Sequence, residues 1–187
     1  MTTWQLDTAH TVVGFTAKHM MITKVRGIFK GISGTIEFDE ANPVASSVNV
    51  VIPAASIDTG TEKRDGHLRS ADFLDAERFP TLSFKSTSIA QKGDRWAITG
   101  DLELHGVTRP VVLDAEHLGI VSGMDGRRHA GFEATTKIKR SEWGLTWNMG
   151  LEAGGWLVSD DVTIDLEGAA DELAAVVAQR ELVGASA

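Results

Sequence analysis

Six histidines, His10, His19, His67, His105, His117 and His129, are the side chains in this chain best suited to proton transfer or metal binding near neutral pH. Their spacing offers little. No two form an HExxH pair, and no serine stands in a GxSxG elbow. The best local pairing for a metal is His117 with His129, on neighbouring strands either side of a hairpin loop. Strand parity puts His117 on the face of Val111, Leu113 and Ala115, and His129 on the face of Glu133 and Lys137. Only a β-bulge would let the two converge, so no metal site is expected. The carboxylates Asp58, Asp65, Asp72 and Asp75 crowd around one short segment, and a pair of them has the chemistry of a glycosidase acid and base. Their better reading is as caps and turns. No two glycines are separated by a single residue, which excludes GxGxxG, and none precedes a lysine as a P-loop requires. With no cysteine, thiolate catalysis, disulfides and thiolate metal sites are all excluded.

The elements that would position such residues are mostly strands. Trp96, Ile98, Gly100, Leu102 and Leu104 alternate with a face that carries Arg95, Thr99, Asp101 and Glu103, a strand with one buried side. Residues 128–139 repeat the pattern, with Ala130, Phe132, Ala134, Thr136 and Ile138 on one side. Similar alternation sets Ile28, Ile32, Ile36 and Phe38 against Thr35, Glu37 and Asp39, and strands are also expected over residues 11–18, 46–53, 81–88, 110–118 and 161–167. Short turn-forming stretches separate these runs. Half-polar strands joined as hairpins predict an all-β antiparallel barrel of about eight strands, since parallel strands would be apolar on both faces and closure removes exposed edges. Residues 59–69 read as a short helix between strands, opened by a Thr59-Gly-Thr-Glu62 capping box and supported by an Asp65–Arg69 ion pair. Residues 169–182 read as a weakly amphipathic terminal helix. The expected division is a barrel domain over 1–167 and a helical extension over 168–187, the latter a candidate for dimer formation or for covering the barrel.

Composition agrees with a packed globular chain. Of 187 residues, 42% are hydrophobic and 24% charged. The net charge of −8 disfavours nucleic acid and anionic surfaces as partners. No apolar run is long enough for a membrane span, and no basic segment leads into an apolar one at the N-terminus, so a cytoplasmic protein is expected. Five Trp and seven Phe without a single Tyr supply apolar bulk with few hydroxyls. The inward face is expected to hold Phe15, Ile36, Phe38, Val48, Val50, Leu82, Phe84, Ile98, Leu102, Phe132, Trp143, Leu145 and Trp147. A dry core and a ligand cavity use the same residue types, so pattern leaves both open.

Specific words in the sequence carry further. Trp4-Gln-Leu-Asp7, His10-Thr11 and Val13-Gly-Phe15-Thr-Ala-Lys18-His19 are followed by Val25-Arg-Gly-Ile-Phe29, Ser56-Ile-Asp58-Thr59-Gly60 and Arg64-Asp65-Gly-His67-Leu68. Then come Asp72-Phe73, Phe79-Pro80, Gly100-Asp-Leu102-Glu-Leu-His105-Gly106-Val-Thr108-Arg-Pro110, Arg140-Ser141-Glu-Trp143-Gly144-Leu and Ser159-Asp160-Asp-Val162. In this order the blocks resemble the YceI-like family of lipocalin-like, polyisoprenoid-binding proteins, over roughly residues 4–167. The resemblance implies an extended eight-stranded barrel whose lumen holds an isoprenoid lipid, an isoprenoid quinone or another long-tailed amphiphile, with no catalytic residue and no other cofactor. It implies polar residues at the barrel mouth, here His10, His19, Arg64 and Arg140, as loop-fixing or head-group contacts. Some members are exported. Trp143 stands where the family commonly has Phe, which implies a shortened lumen. The competing reading is a hydrolase or isomerase acting on a lipid-like substrate, with His10, His19 or His105 as acid or base; no nucleophile and base pair is visible for it.

Overall fold

A computed structural model describes residues 1–173 apart from Asp125 and Ala153. Eleven strand segments form one antiparallel sheet: β1 (Thr2–Leu6), β2 (Val12–His19), β3 (Thr23–Phe29), β4 (Ser33–Phe38), β5 (Ser47–Pro53), β6 (Ile57–Asp58), β7 (Thr81–Lys92), β8 (Arg95–Leu104), β9 (Val107–Ser122), β10 (Arg128–Lys139) and β11 (Val158–Glu172). The sheet order runs β1-β4-β5-β7-β8-β9-β10-β11, and β11 returns to pair with β1, which closes the ring. β11 pairs with β1 through Ala170–Glu172 and with β2 through 158–167. β1 and β2 are therefore two halves of one long stave, interrupted at residues 7–11. β3 with β4 and β5 with β6 are broken staves of the same kind. Counted as staves, the barrel has eight strands in simple up-and-down order, as the alternation predicted.

The breaks explain where periodicity misled. Ile28 does not share the inward face of Ile32, Ile36 and Phe38, because the chain breaks between β3 and β4 at Gly31, φ +76, and the alternation restarts there. Ile28 is exposed on the outer face, while Val25, Gly27 and Phe29 turn inward. β1 carries too few residues to show a period and was legible only as part of a motif. On β9, Leu118 is a bulge opposite the Gly131–Phe132 step, so the inward parity passes from Val111, Leu113, Ala115 and His117 to Ile120.

The short helix α1 (Glu62–Arg69) forms between β6 and β7, but not with the expected contacts. Its N-cap is Thr61, whose side chain makes no cap bond. Asp65, buried on the first turn, instead accepts hydrogen bonds from the Thr59 N–H (2.9 Å) and the Thr59 hydroxyl. Arg69 pairs with Glu62 at 3.2 Å, one turn further back than expected. Residues 169–172, expected to begin a helix, continue β11, and the expected boundary at 167/168 falls within that closing strand. Residues 174–182 of the expected helix lie outside the described residues. No helix among the described residues is long and apolar enough to cross a membrane.

Candidate functional site: an apolar lumen plugged at one end

The two ends of the barrel differ. One end gathers the β2–β3 turn, α1 with the loop leading to β7, the His105-Gly106 turn and residues 140–157. The other carries the chain start, the 39–46 loop, the Gly93-Asp94 turn and the 123–127 loop.

The first end is filled. Trp143, on the single helical turn Arg140–Trp143, is 1% exposed, and its indole N–H donates to the Leu102 carbonyl at 3.1 Å. Leu104, Ile138 and Leu145 are buried beside it. Trp147, Phe73 and His67 stack as an aromatic trio with centroids 4.7 to 5.2 Å apart. His105 is held by the Trp143 carbonyl at 3.2 Å, which must accept, so Nδ1 carries the proton. Arg140, 6% exposed, donates to the carbonyls of Ser159 (3.0 Å), Trp147 (3.0 Å) and Leu145. Burial draws its pKa below the ordinary guanidinium value, and Asp160 partly opposes this. The charge is tolerated because buried carbonyls replace its water shell. Arg64 binds Thr59 (2.7 and 2.9 Å) and Thr61 (3.2 Å), locking the approach to α1.

Above this plug the barrel encloses a cavity of about 220 Å³ that reaches the second end past Pro43, Ser46, Trp96 and His117. Phe15, Ile36, Phe38, Val48, Val50, Leu82, Phe84, Ile98, Leu102 and Phe132, all expected on the inward face, line it. Trp143, Leu145 and Trp147 do not; they belong to the plug, so the indole at position 143 forms the floor's support and leaves the bore of the lumen to other residues. Phe15, Phe38, Ile98 and Phe132 are only partly buried although they face the inside of a closed barrel, because their inner surfaces border the void. Two glycines make room for rings lying flat on the wall. A Cβ at Gly100 would stand 2.4 Å from the Phe84 ring, and one at Gly27 would stand 2.4 Å from the Phe15 ring.

The polar candidates are elsewhere than expected. His10 is exposed at the β1–β2 break, donating to the Asp7 carboxylate at 2.6 Å, and this bond holds the Asp7 pKa below its usual range. His19 ends β2 at the plugged end. Arg64 and Arg140 are structural there. None of the four borders the cavity. Among the described residues His10 bonds to Asp7 and His105 to the Trp143 carbonyl, and no hydrogen bond joins His10, His19 and His105 to one another. His117 is the polar side chain that sequence reasoning treated only as a metal ligand: it lies at the open rim, stacked on Phe38 at 5.6 Å. Its signal was its parity with Val111, Leu113 and Ala115. His129 faces outward to Asp171 at 2.7 Å, so the two do not converge. Among the described residues no three His, Asp or Glu side chains come together as a metal site would need.

Comparison with known proteins agrees with this architecture. The family model for the YceI-like domain matches residues 4–170. Protein YceI of Salmonella newport and that of Escherichia coli O157:H7 are each 45% identical over 141 residues, covering 75% of this chain and 74% of theirs. Among solved structures, BcnA of Burkholderia cenocepacia superposes with a TM-score of 0.75 at 25% identity, over 88% of this chain and 98% of its own. The Campylobacter jejuni YceI protein does so with 0.72 at 34% identity, over 84% and 90%. A polyisoprenoid-binding domain from Saccharophagus degradans shares the fold, with a TM-score of 0.66 at 16% identity over 92% of this chain and all of its own. A family model that spans both the broken first stave and the closing strand, with relatives at this identity, establishes that the chain belongs to the YceI-like family.

Proposed function

We propose that the barrel binds one long, slender isoprenoid lipid or isoprenoid quinone, with its chain in the lumen and its polar end at the rim beside His117. The observation that carries this is the void itself: an apolar cavity of about 220 Å³, closed below and open above, inside a barrel whose lining side chains keep uncovered surface. It exceeds the roughly 150 Å³ apolar void that suffices for benzene. From Val111 to His117 at the rim the wall rises six residues, which at about 3.3 Å per residue and a strand tilt near 40° gives a depth of about 15 Å. That shape suits an extended chain better than a fused ring system.

Magnitudes favour length. One five-carbon unit contributes roughly 4 kcal/mol at about 0.8 kcal/mol per buried carbon, while association costs about 4 to 15 kcal/mol. Several units therefore bind without a charged contact, and discrimination between chains rests on about 1 to 3 kcal/mol per methylene. The role is carriage or storage, with no chemistry asked of the wall. The Saccharophagus degradans domain, which shares the fold, is described as polyisoprenoid-binding, and this supports the choice of ligand class.

Mass spectrometry of organic extracts from the purified protein tests the reading, together with quenching of Trp96, a rim residue, by a polyprenyl quinone. A co-purifying lipid, or saturable quenching abolished by Ala134→Phe, which fills the lumen, is expected. A protein that is empty on isolation and indifferent to the quinone overturns it.

A further inference from the structure

The plugged end of the barrel carries a hairpin whose conformation and composition disagree. Between β2 and β3 the chain turns through Met20 and Met21 at φ +51 and +63, with the Ile22 N–H donating to the His19 carbonyl at 3.2 Å. Two consecutive positive φ values are the signature of a turn that favours Asn-Gly, and they strain any larger side chain. The strain buries none of the three side chains: Met20 and Met21 are about half exposed and Ile22 keeps 80% of its surface exposed. A second loop joins them. The Met20 N–H donates to the Leu157 carbonyl at 2.8 Å, Met21 packs on Gly155, and Met149 and Trp156 stand exposed alongside, Trp156 at 58%.

Cations surround this apolar tip. Lys18 and Lys24 are directly opposed across β2 and β3, an arrangement that weakens a sheet, and Arg26 lies one step further along the same outer face. Lys137 and Lys139 continue the face on β10. Met21 and Trp156 share a surface hollow with these five cations and with three carboxylates, Asp160, Asp161 and Asp165. The carboxylates are engaged: Asp161 with Lys137 at 2.7 Å, Asp160 with Ser141 at 2.9 Å and Asp165 with Thr135 at 2.8 Å. Lys18, Lys24, Arg26 and Lys139 have no salt bridge among the described residues. The hollow thus holds two more cations than carboxylates in a chain of net charge −8.

We infer that this tip docks the protein reversibly on an anionic membrane surface, with Met20, Met21, Ile22 and Trp156 entering the headgroup layer and Lys18, Lys24, Arg26 and Lys139 lying over lipid phosphates. A projecting hairpin of unbranched methionines with one tryptophan suits a soft interface, where an indole keeps one edge apolar and the other wet. A protein partner would need a groove shaped to the tip. The charge excess supplies the attraction that the protein's overall charge denies, and it acts only within about a Debye length. Nothing in this inference depends on what the lumen holds.

Co-sedimentation of the full chain with vesicles tests it, using phosphatidylglycerol mixed into phosphatidylcholine against phosphatidylcholine alone. Binding is expected to the mixed vesicles and to fall as salt rises. The double variant Met20→Asn, Met21→Gly gives the turn the residues it favours, so it should unfold no more easily than the parent while losing roughly tenfold or more in vesicle affinity. Lys18→Gln with Lys24→Gln should lose about fivefold per cation removed. Ala134→Phe, which blocks the lumen, should leave docking unchanged. The inference is overturned if the parent shows no preference for the anionic vesicles, if the turn variant binds as well as the parent, or if Ala134→Phe abolishes the association, which would then be lipid exchange through the lumen. Self-association of the parent that the turn variant removes would also overturn it, by making the tip a contact between two copies.

Discussion

Trp143→Ala and Phe132→Ala both delete a large aromatic side chain that the sequence places on the inward face, yet the structure assigns them opposite consequences. Trp143 is 1% exposed in the plug, with its indole N–H bonded to the Leu102 carbonyl. Its truncation leaves a sealed hole and an unpaired acceptor, a loss of about 3–5 kcal/mol for such a residue. In a domain of this size that is a fall in melting temperature of about 6–20 °C. Phe132 borders an existing void and leans on Gly168, so its removal widens the cavity without creating a new one. Only the transfer contribution of its covered part is lost, about 1–2 kcal/mol, or about 2–8 °C. Ligand uptake should show the reverse order, with Phe132→Ala altering the affinity for a polyprenyl quinone and Trp143→Ala leaving it unchanged at temperatures where the variant is folded. Near-ultraviolet circular dichroism melts of lipid-free protein give the first quantity, and equilibrium dialysis gives the second. Equal destabilisation by the two substitutions, or loss of uptake on truncating Trp143 alone, would refute the division of the barrel into plug and lumen.

Other consequences follow from the same geometry. Arg140→Lys keeps the charge but cannot serve three carbonyls spread over Ser159, Leu145 and Trp147, and it should cost about 2–4 kcal/mol in urea denaturation. Gly100→Ala places a methyl group 2.6 Å from the Lys85 carbonyl oxygen and against the Phe84 ring, so a loss of about 1–3 kcal/mol is expected, with the ring displaced into the lumen and uptake reduced in dialysis. Acid should weaken the fold through Asp7, Asp58 and Asp161, whose pKa values are lowered by bonds from His10, Lys30 and Lys137 respectively. Because each is lower folded than unfolded, its contribution is complete above the unfolded value of 3.8 and is lost as pH falls through the folded one. Urea midpoints measured against pH should therefore drop on the acid side, and Asp7→Asn should make that drop shallower.

The sequence by itself determined the fold class and the family, because both are written locally. Strands such as 96–104 and 128–139 show a period of two that needs no knowledge of their neighbours, and motif blocks such as Arg140-Ser141-Glu-Trp143-Gly144 are contiguous. It also placed ten of the thirteen inward-facing candidates against the lumen, since parity along an unbroken strand is a reliable guide to side. Parity failed where the chain changes register: at Gly31, which separates Ile28 from Ile36, and at the Leu118 bulge beyond His117. The terminal helix failed for a different reason. Residues 169–172 have good helical propensity, but pairing with β1 closes the barrel, and satisfying two open edges outweighs an intrinsic preference of a few tenths of a kcal/mol per residue.

What only the tertiary structure decided is which apolar residues enclose space and which fill it. Trp143 and Phe132 are the same kind of residue to any reading of pattern. They differ in what stands opposite them, and that is fixed by residues far away in the chain: the α1 region and the 140–157 segment fold over one end of the barrel, while the other end receives only short loops. The polar candidates were misplaced for the same reason, since Arg64 and Arg140 reveal themselves as structural only when the carbonyls they bind are in place. Emptiness is a property of an enclosure, and an enclosure exists only once its distant walls have met.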